Sequence, residues 1–324
     1  MCSSDLPSRW RRLHRKLCVV DGHTAFCGGI NVLDDLYDPN HGALESPRFD
    51  FSVQVTGPLV RAVAETTAQF WWRSRAAKEA RERDFPQAWA ALQSAVRLGM
   101  QARRGANAPE TGNGAPANAE FAASVASESP RVHLARAVLV LRDNVRQRTH
   151  IERAYRKAIG EARTEIIIAN AYFLPGARLR KGLILAARRG VRVRLLLQGR
   201  YEYFMQYHAA RPVFGALLAA GVEIYEYAPS FLHAKVAVID SQWATVGSSN
   251  LDPLSLLLAR EANVVITDSA FAEDLRQRLV HAMQNQGQRM DPDDYARRPL
   301  RQRFLDRLAF GLMRLLLFLN GRRY

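Results

Sequence analysis

An ungapped internal repeat constrains this chain more than any other feature of its sequence. Residues 13–31 read LHRKLCVVDGHTAFCGGIN, and residues 232–250 read LHAKVAVIDSQWATVGSSN. The recurring polar positions are His14, Lys16, Asp21 and Asn31 in the first copy and His233, Lys235, Asp240 and Asn250 in the second. A repeat of this kind predicts a fold built from two similar halves.

The repeat continues beyond the two motifs. Asp50 opens the segment DFSVQVT, and Glu261 opens the segment EANVVIT. Each half therefore carries a carboxylate immediately before a further strand pattern. We expect a pseudo-twofold axis to relate the halves, with the active site at their interface.

The apolar periodicity of the second half predicts the fold class. Helical spacing over 151–163, 178–189 and 209–220 alternates with the strand patterns EIIIANAYF, VRVRLLL and VEIYEY. Two more strand patterns, HAKVAVI and WATVG, carry the second motif. Strands that alternate with helices predict an α/β fold in which mixed β-sheets are flanked by helices.

The chain divides into three predicted regions. Residues 1–131 form the first half, which contains a helical stretch from Pro58 to Arg104 and a linker at about 105–131 rich in Ala, Gly, Asn, Pro and Ser. Residues 132–290 form the second half, and residues 291–324 form a basic amphipathic tail. About seventy residues of strand and helix pattern precede His233 in its half, but only thirteen residues precede His14. We therefore expect an N-terminally incomplete form of a longer enzyme.

The two motifs carry groups suited to phosphodiester transfer. Residues i and i+2 of a strand share a face, so each histidine points the same way as the lysine two positions later. One histidine can attack phosphorus and form a phosphohistidine, while the other protonates the leaving alkoxide and deprotonates the incoming hydroxyl. The lysines and asparagines stabilise the non-bridging oxygens. The sequence shows no carboxylate cluster for a metal, and this chemistry requires no cofactor.

The acidic residues of the repeat have supporting roles in this interpretation. Asp50 and Glu261 are candidates to hydrogen-bond the histidines and fix their tautomers, with a surface ion pair as the alternative. Asp21 and Asp240 end their strands, so we expect a structural role there, in a turn or an ion pair.

Charge and the tail indicate an anionic partner. Lys and Arg total 46 against 31 acidic residues, which gives a net charge of +15. Nucleic acid and an anionic lipid surface both fit that charge. Residues 297–323 are rich in Leu, Phe and Arg, which is typical of an interfacial amphipathic helix. A C-terminal helix docked on the core is the alternative.

The duplicated H-x-K-x4-D motif identifies the chain as a member of the phospholipase D superfamily. The second half resembles the bacterial cardiolipin synthases in EIIIANAYFLPG, RRGVRVRLLLQGR, LLAAGVEIYEY and HAKVAVIDSQWATVGSSNLDPLSL. The resemblance implies transfer of a phosphatidyl group between two phosphatidylglycerols, giving cardiolipin and glycerol. It implies His14 as the nucleophile and His233 as the acid and base. It also implies a peripheral protein on the cytoplasmic side of the bacterial inner membrane.

The lipid partners implied are phosphatidylglycerol and cardiolipin, and Arg200, Tyr201 and Tyr203 are candidates to line the headgroup site. Three other functions stay open: a phospholipase D hydrolase that uses water, a nuclease of the same superfamily, and a fragment without activity. The tail argues against nucleic acid as the partner.

Overall fold

A computed structural model describes residues 12–38, 41–105, 135–143, 147–200, 204–253 and 259–319. The strands of these residues are β1 Arg12–Leu13, β2 Lys16–Val20, β3 Thr24–Gly28, β4 Tyr37–Asp38, β5 Gly42–Ala43, β6 Ser52–Thr56, β7 Arg136–Arg142, β8 Glu165–Asn170, β9 Arg192–Gln198, β10 Glu223–Tyr227, β11 Lys235–Ile239, β12 Trp243–Gly247, β13 Ala259–Thr267 and β14 Gly287–Arg289. The helices are α1 Pro58–Arg81, α2 Phe85–Gly105, α3 His150–Glu161, α4 Ala177–Arg188, α5 Phe204–Leu218, α6 Ser269–Gln286, α7 Pro292–Ala296 and α8 Leu300–Leu319.

A large mixed sheet forms the centre of the molecule. Its strand order is β1-β13-β12-β11-β8-β9-β10-β14, and β7 also pairs with β13. The β8–β9 and β9–β10 pairs are parallel, whereas β11 runs antiparallel to both β8 and β12. Helices cover this sheet, so the predicted mixed α/β class is confirmed.

The strands alternate their buried side chains between two cores. In β8, Ile166 and Ile168 face the core that contains α3, α4 and α5, and Ile167 and Ala169 face the opposite core. Helix α6 covers that second face together with a three-stranded sheet of order β2-β3-β6. Successive side chains of a strand point to opposite faces. The motif strands of both halves therefore contribute apolar side chains to this second core.

The two halves contact each other reciprocally at their motifs. Strand β1 pairs in parallel with β13, and the His14 amide donates to the Arg260 carbonyl at 3.1 Å. Phe49 forms a parallel bridge with Leu232, and the His233 amide donates to the Phe49 carbonyl at 2.9 Å. The backbone of each motif histidine therefore contacts the segment of the other half that carries the carboxylate. That an axis of rotation relates the halves stays a prediction.

Several predicted boundaries were wrong. The helical stretch from Pro58 to Arg104 is two helices, because the chain turns at 82–84, where Arg83 has a φ of 61°. Helix α5 starts at Phe204 rather than at 209. The EIIIANAYF segment is a buried strand, Glu165–Asn170, that runs into a loop as predicted. Beyond Gly105, the predicted linker lies outside the described residues, as do residues 1–11. The limits of the three regions stay predictions.

The motif strands differ in their neighbours. β11 is paired on both edges, by β8 and β12. Among the described residues, β2 is paired on one edge alone, by β3. The second motif is consequently the more enclosed of the two, with every residue of β11 buried.

The C-terminal helix docks on the body through one face. Ala309 and Met313 of α8 are buried beside α5, and the Asp306 carboxylate bonds the His208 ring at 2.7 Å and the Arg298 guanidinium at 2.9 Å. On this face the C-terminal helix is docked on the core, which was the alternative to an interfacial helix. The outer face exposes apolar side chains at a spacing of four residues, namely Leu300, Phe304, Leu308 and Leu312. None of the described helices is long and apolar enough to cross a bilayer.

Candidate active site

His233 stands immediately before β11 and is held by a carboxylate of the first half. Its Nδ1 lies 2.6 Å from Asp50 Oδ2. A carboxylate can only accept a hydrogen bond, so Nδ1 carries the proton and Nε2 presents a lone pair. Burial lowers the pKa of His233 to about 4; the charges of Lys235 and Lys16 act in the same direction and the bond to Asp50 opposes them. The ring is therefore neutral at neutral pH.

His14 is held by the second half in a different way. Its Nδ1 lies 3.1 Å from Glu261 Oε2 and also 3.1 Å from the Ser248 carbonyl oxygen. Both groups accept, so they share one Nδ1 proton and select the same tautomer as in His233. The Ser248 hydroxyl donates to Glu261 Oε2 at 2.5 Å, which fixes the carboxylate in turn.

The two lysines bring positive charge close to the histidines. The Lys16 ammonium donates to the His14 carbonyl at 3.0 Å, and the Lys235 ammonium donates to the His233 carbonyl. Burial lowers the pKa of Lys16 to about 8, although the Glu261 and Asp50 charges oppose that shift. Since Lys16 also acts on His233, the charged groups of both halves form one electrostatic site.

The asparagines of the two motifs are placed unequally. Asn250 is buried, and its Oδ1 has no hydrogen-bond partner among the described residues. Asn31 is exposed, and within the same part of the chain nothing ties its side chain to the histidines. The structure thus brings together both histidines, both lysines, both carboxylates and the segment that carries Asn250, but not Asn31.

Two supporting residues did not emerge from the sequence. Ser248 joins Glu261 to His14, although its position in the repeat corresponds to Gly29, which carries no side chain. Asn170 ends β8 opposite Lys235, and its Oδ1 accepts from the Leu251 amide at 3.0 Å. A polar residue at the end of a buried strand was the one signal available for Asn170.

Gly29 of the first motif leaves room for the carboxylate of Asp50. A Cβ on Gly29 would lie 2.2 Å from Asp50 Oδ1. Any larger residue would push Asp50 out of position, and Asp50 is the carboxylate that orients His233. The close approach, rather than backbone conformation, therefore requires glycine here.

The remaining candidate residues lie away from the histidines. Asp240 directly follows β11 and accepts hydrogen bonds from three backbone amides, those of Arg163, Thr164 and Glu165, at 2.8–2.9 Å. Burial raises the pKa of Asp240, but these hydrogen bonds outweigh it and lower the pKa overall. Asp21 is exposed in a turn with a φ of 51°.

The predicted headgroup residues are only partly described. Arg200 donates to the carbonyl oxygens of Ala228 and Pro229, at 3.2 and 2.7 Å. Tyr201 and Tyr203 lie outside the described residues. Arg200 also lines an apolar cleft beside Asp252 and Pro253, which follow Asn250 closely in the chain. Among the described residues, no group of three or more His, Cys, Asp or Glu side chains could hold a metal ion.

Comparison with known proteins identifies a family and relatives that this chain resembles. Residues 155–283 match the family described as cardiolipin synthase, PLD-like domain. Over 281 residues the chain is 37% identical to cardiolipin synthase B of Escherichia coli (strain K12), an alignment that covers 83% of this chain and 55% of that protein. Against cardiolipin synthase B of Salmonella typhi the identity is 34% over 316 residues, or 94% of this chain and 64% of the relative.

The fold also has a solved counterpart. The crystal structure of phosphatidylserine synthase from Haemophilus influenzae Rd KW20 superposes with a TM-score of 0.55 at 12% identity and covers 95% of this chain and 69% of that chain. That level of identity supports the shared fold alone. The chain spans little more than half the length of the Escherichia coli relative. With its duplicated motif, its mixed sheet and these similarities, the chain belongs to the phospholipase D superfamily.

Proposed function

We propose that this chain is part of an enzyme that transfers phosphatidyl groups between phospholipids. The enzyme converts two phosphatidylglycerols into cardiolipin and glycerol. One observation carries the proposal. Each motif histidine has its Nδ1 hydrogen-bonded to a carboxylate of the other half, at 2.6 Å for His233 and 3.1 Å for His14. Such pairs leave two Nε2 atoms available for nucleophilic and acid–base work.

The mechanism has two balanced displacement steps. Nε2 of one histidine attacks phosphorus of the first phosphatidylglycerol, and the bond from phosphorus to the glycerol oxygen breaks. The second histidine gives its proton to that oxygen, and glycerol leaves. The same histidine then takes a proton from the hydroxyl of a second phosphatidylglycerol. The oxygen of that hydroxyl attacks phosphorus, the bond from phosphorus to the histidine Nε2 breaks, and cardiolipin is released. Lys16 and Lys235 stabilise the negative charge on the phosphoryl oxygens throughout.

The roles of the histidines follow the superfamily resemblance, with His14 as nucleophile and His233 as acid and base. The low pKa of His233 keeps its ring in the unprotonated form, which can accept the proton of the acceptor hydroxyl. For the first step His233 must hold a proton, and the negative charge of a bound phosphodiester favours that form. The phosphohistidine and this assignment of roles are proposals.

Trapping the intermediate tests both the phosphohistidine and the assignment of roles to the two histidines. Phosphatidylglycerol vesicles labelled in the phosphate are mixed with the protein, quenched and analysed for acid-labile label. We expect label in the native protein and none in His14→Ala, while the control His23→Ala, in an exposed turn, behaves as native. Label that survives in His14→Ala and disappears in His233→Ala would reverse the two roles.

The products separate the alternative functions. Cardiolipin with glycerol indicates transfer, and phosphatidic acid with glycerol indicates hydrolysis by water. Plasmid DNA offered in parallel tests the nuclease alternative, which predicts nicking. We expect cardiolipin, since the outer face of α8 exposes Leu and Phe side chains suited to a lipid surface.

That same face supports the proposed location. Leu300, Phe304 and Leu308 are exposed on α8, and Arg301 and Arg307 are exposed beside them. Apolar side chains flanked by arginines favour peripheral binding to anionic lipid headgroups. We propose the cytoplasmic side of the bacterial inner membrane, which fractionation of cells with a salt wash would test.

A further inference from the structure

Within the part of the chain that the structure describes, the first half carries a helical hairpin that has no counterpart in the second half. Helix α1 follows β6 just as α6 follows β13, and Val60 and Val63 anchor its first turns in the body. Helix α2 then returns along α1, with Ala91 and Ala95 buried in the contact. After α6, by contrast, the chain passes directly into β14.

One side of α2, flanking its contact with α1, is apolar and exposed. Its residues are Phe85, Trp89, Leu92 and Val96, which are 66%, 62%, 42% and 52% exposed. Spacings of four, three and four residues place them in one narrow stripe along the helix. We call this stripe the α2 face. Four large apolar side chains held in water in a single row mark an interaction surface.

The composition of α2 indicates the partner. Its sequence, FPQAWAALQSAVRLGMQARRG, contains three arginines and no acidic residue. Arg97, which follows Val96 in the chain, is exposed. Tryptophan and phenylalanine favour the boundary between headgroups and acyl chains, and arginines attract anionic headgroups.

We propose that the α2 face lies on the surface of an anionic phospholipid bilayer. A second copy of the chain is a poorer partner, because two α2 helices would bring arginines together without a carboxylate from either one. A lipid surface supplies negative charge and an apolar layer at the same place. This inference goes beyond the proposed function, since binding requires no chemistry and uses a surface distinct from α8.

Vesicle sedimentation of the full chain tests the proposal. One set of vesicles contains phosphatidylcholine alone, and the other contains equal parts phosphatidylcholine and phosphatidylglycerol. We expect the native chain to bind the second set, and Phe85→Ser/Trp89→Ser to bind about tenfold more weakly, because the two largest apolar side chains no longer insert. Phe85→Leu/Trp89→Phe restores binding. Leu185→Ser, which removes an exposed leucine of α4, is the matched control and binds as native.

Three results would overturn the proposal. The serine double variant could bind like the native chain, or the native chain could bind both vesicle sets equally. Alternatively, the native chain could be dimeric in lipid-free buffer and the double variant monomeric, which would make the α2 face a contact between copies. Repeating the assay with His14→Ala separates this inference from the proposed function, because lipid binding should survive when transfer is lost.

Discussion

Exchanging each orienting carboxylate for its amide should affect the two histidines unequally. Nδ1 of His233 has a single hydrogen-bond partner among the described residues, Asp50 Oδ2 at 2.6 Å. In Asp50→Asn the amide can turn its NH₂ toward the ring and donate to Nδ1, so the proton moves to Nε2. Nε2 then has no lone pair for proton transfer. Nδ1 of His14 keeps the Ser248 carbonyl at 3.1 Å when Glu261 is changed, and a carbonyl can only accept.

The magnitudes follow from these partners. A hydrogen bond to a charged group contributes about 1.5–3 kcal/mol, which corresponds to roughly 10–10²-fold in rate. Losing the correct tautomer as well raises the cost of Asp50→Asn to roughly 10²–10⁴-fold. In Glu261→Gln the tautomer survives, so we expect a loss of about tenfold.

Two measurements test this difference. Turnover of phosphatidylglycerol vesicles gives the rate losses of the two variants. Proton–nitrogen NMR of the imidazole rings reports the tautomer without requiring turnover, and it should show His233 protonated at Nε2 in Asp50→Asn and His14 still protonated at Nδ1 in Glu261→Gln. Equal losses with both tautomers unchanged would refute the argument that Ser248 protects His14.

Other perturbations address the lysines, the glycine and the metal question. Since Lys16 has a pKa lowered to about 8, its positive charge disappears as pH rises through that value, so transfer should decline above it, and Lys16→Arg should retain activity at higher pH. Gly29→Ala should lower the free energy of unfolding by about 1–3 kcal/mol, through its overlap with Asp50, while Gly160→Ala in α3, where a Cβ meets nothing within 4 Å, should stabilise slightly in the same denaturation assay. Transfer should be unchanged in EDTA at constant vesicle charge, because Lys16 and Lys235 carry the stabilising charge; a loss restored by a divalent ion would contradict that arrangement.

The fold class and the motif residues could be read from the chain because their signals are local or repeated. Helical spacing reports which face of a helix is buried, and continuous apolar runs mark strands that are buried on both faces, as β8, β9, β11 and β12 are. The gapless repeat paired His14 with His233 and Lys16 with Lys235. Helix limits were less predictable: Pro58 to Arg104 has helical spacing on both sides of residues 82–84, so the turn between α1 and α2 was hidden.

The sequence by itself determined which groups exist in duplicate, but only the tertiary structure decided how they are paired. The repeat associates Asp50 with the first half and Glu261 with the second, whereas in space Asp50 bonds His233 and Glu261 bonds His14. This exchange arises because β1 pairs with β13 and Phe49 bridges Leu232, contacts between residues more than 180 positions apart. Spacing along a chain carries no information about such pairings, since they depend on how the two half-sheets pack against one core.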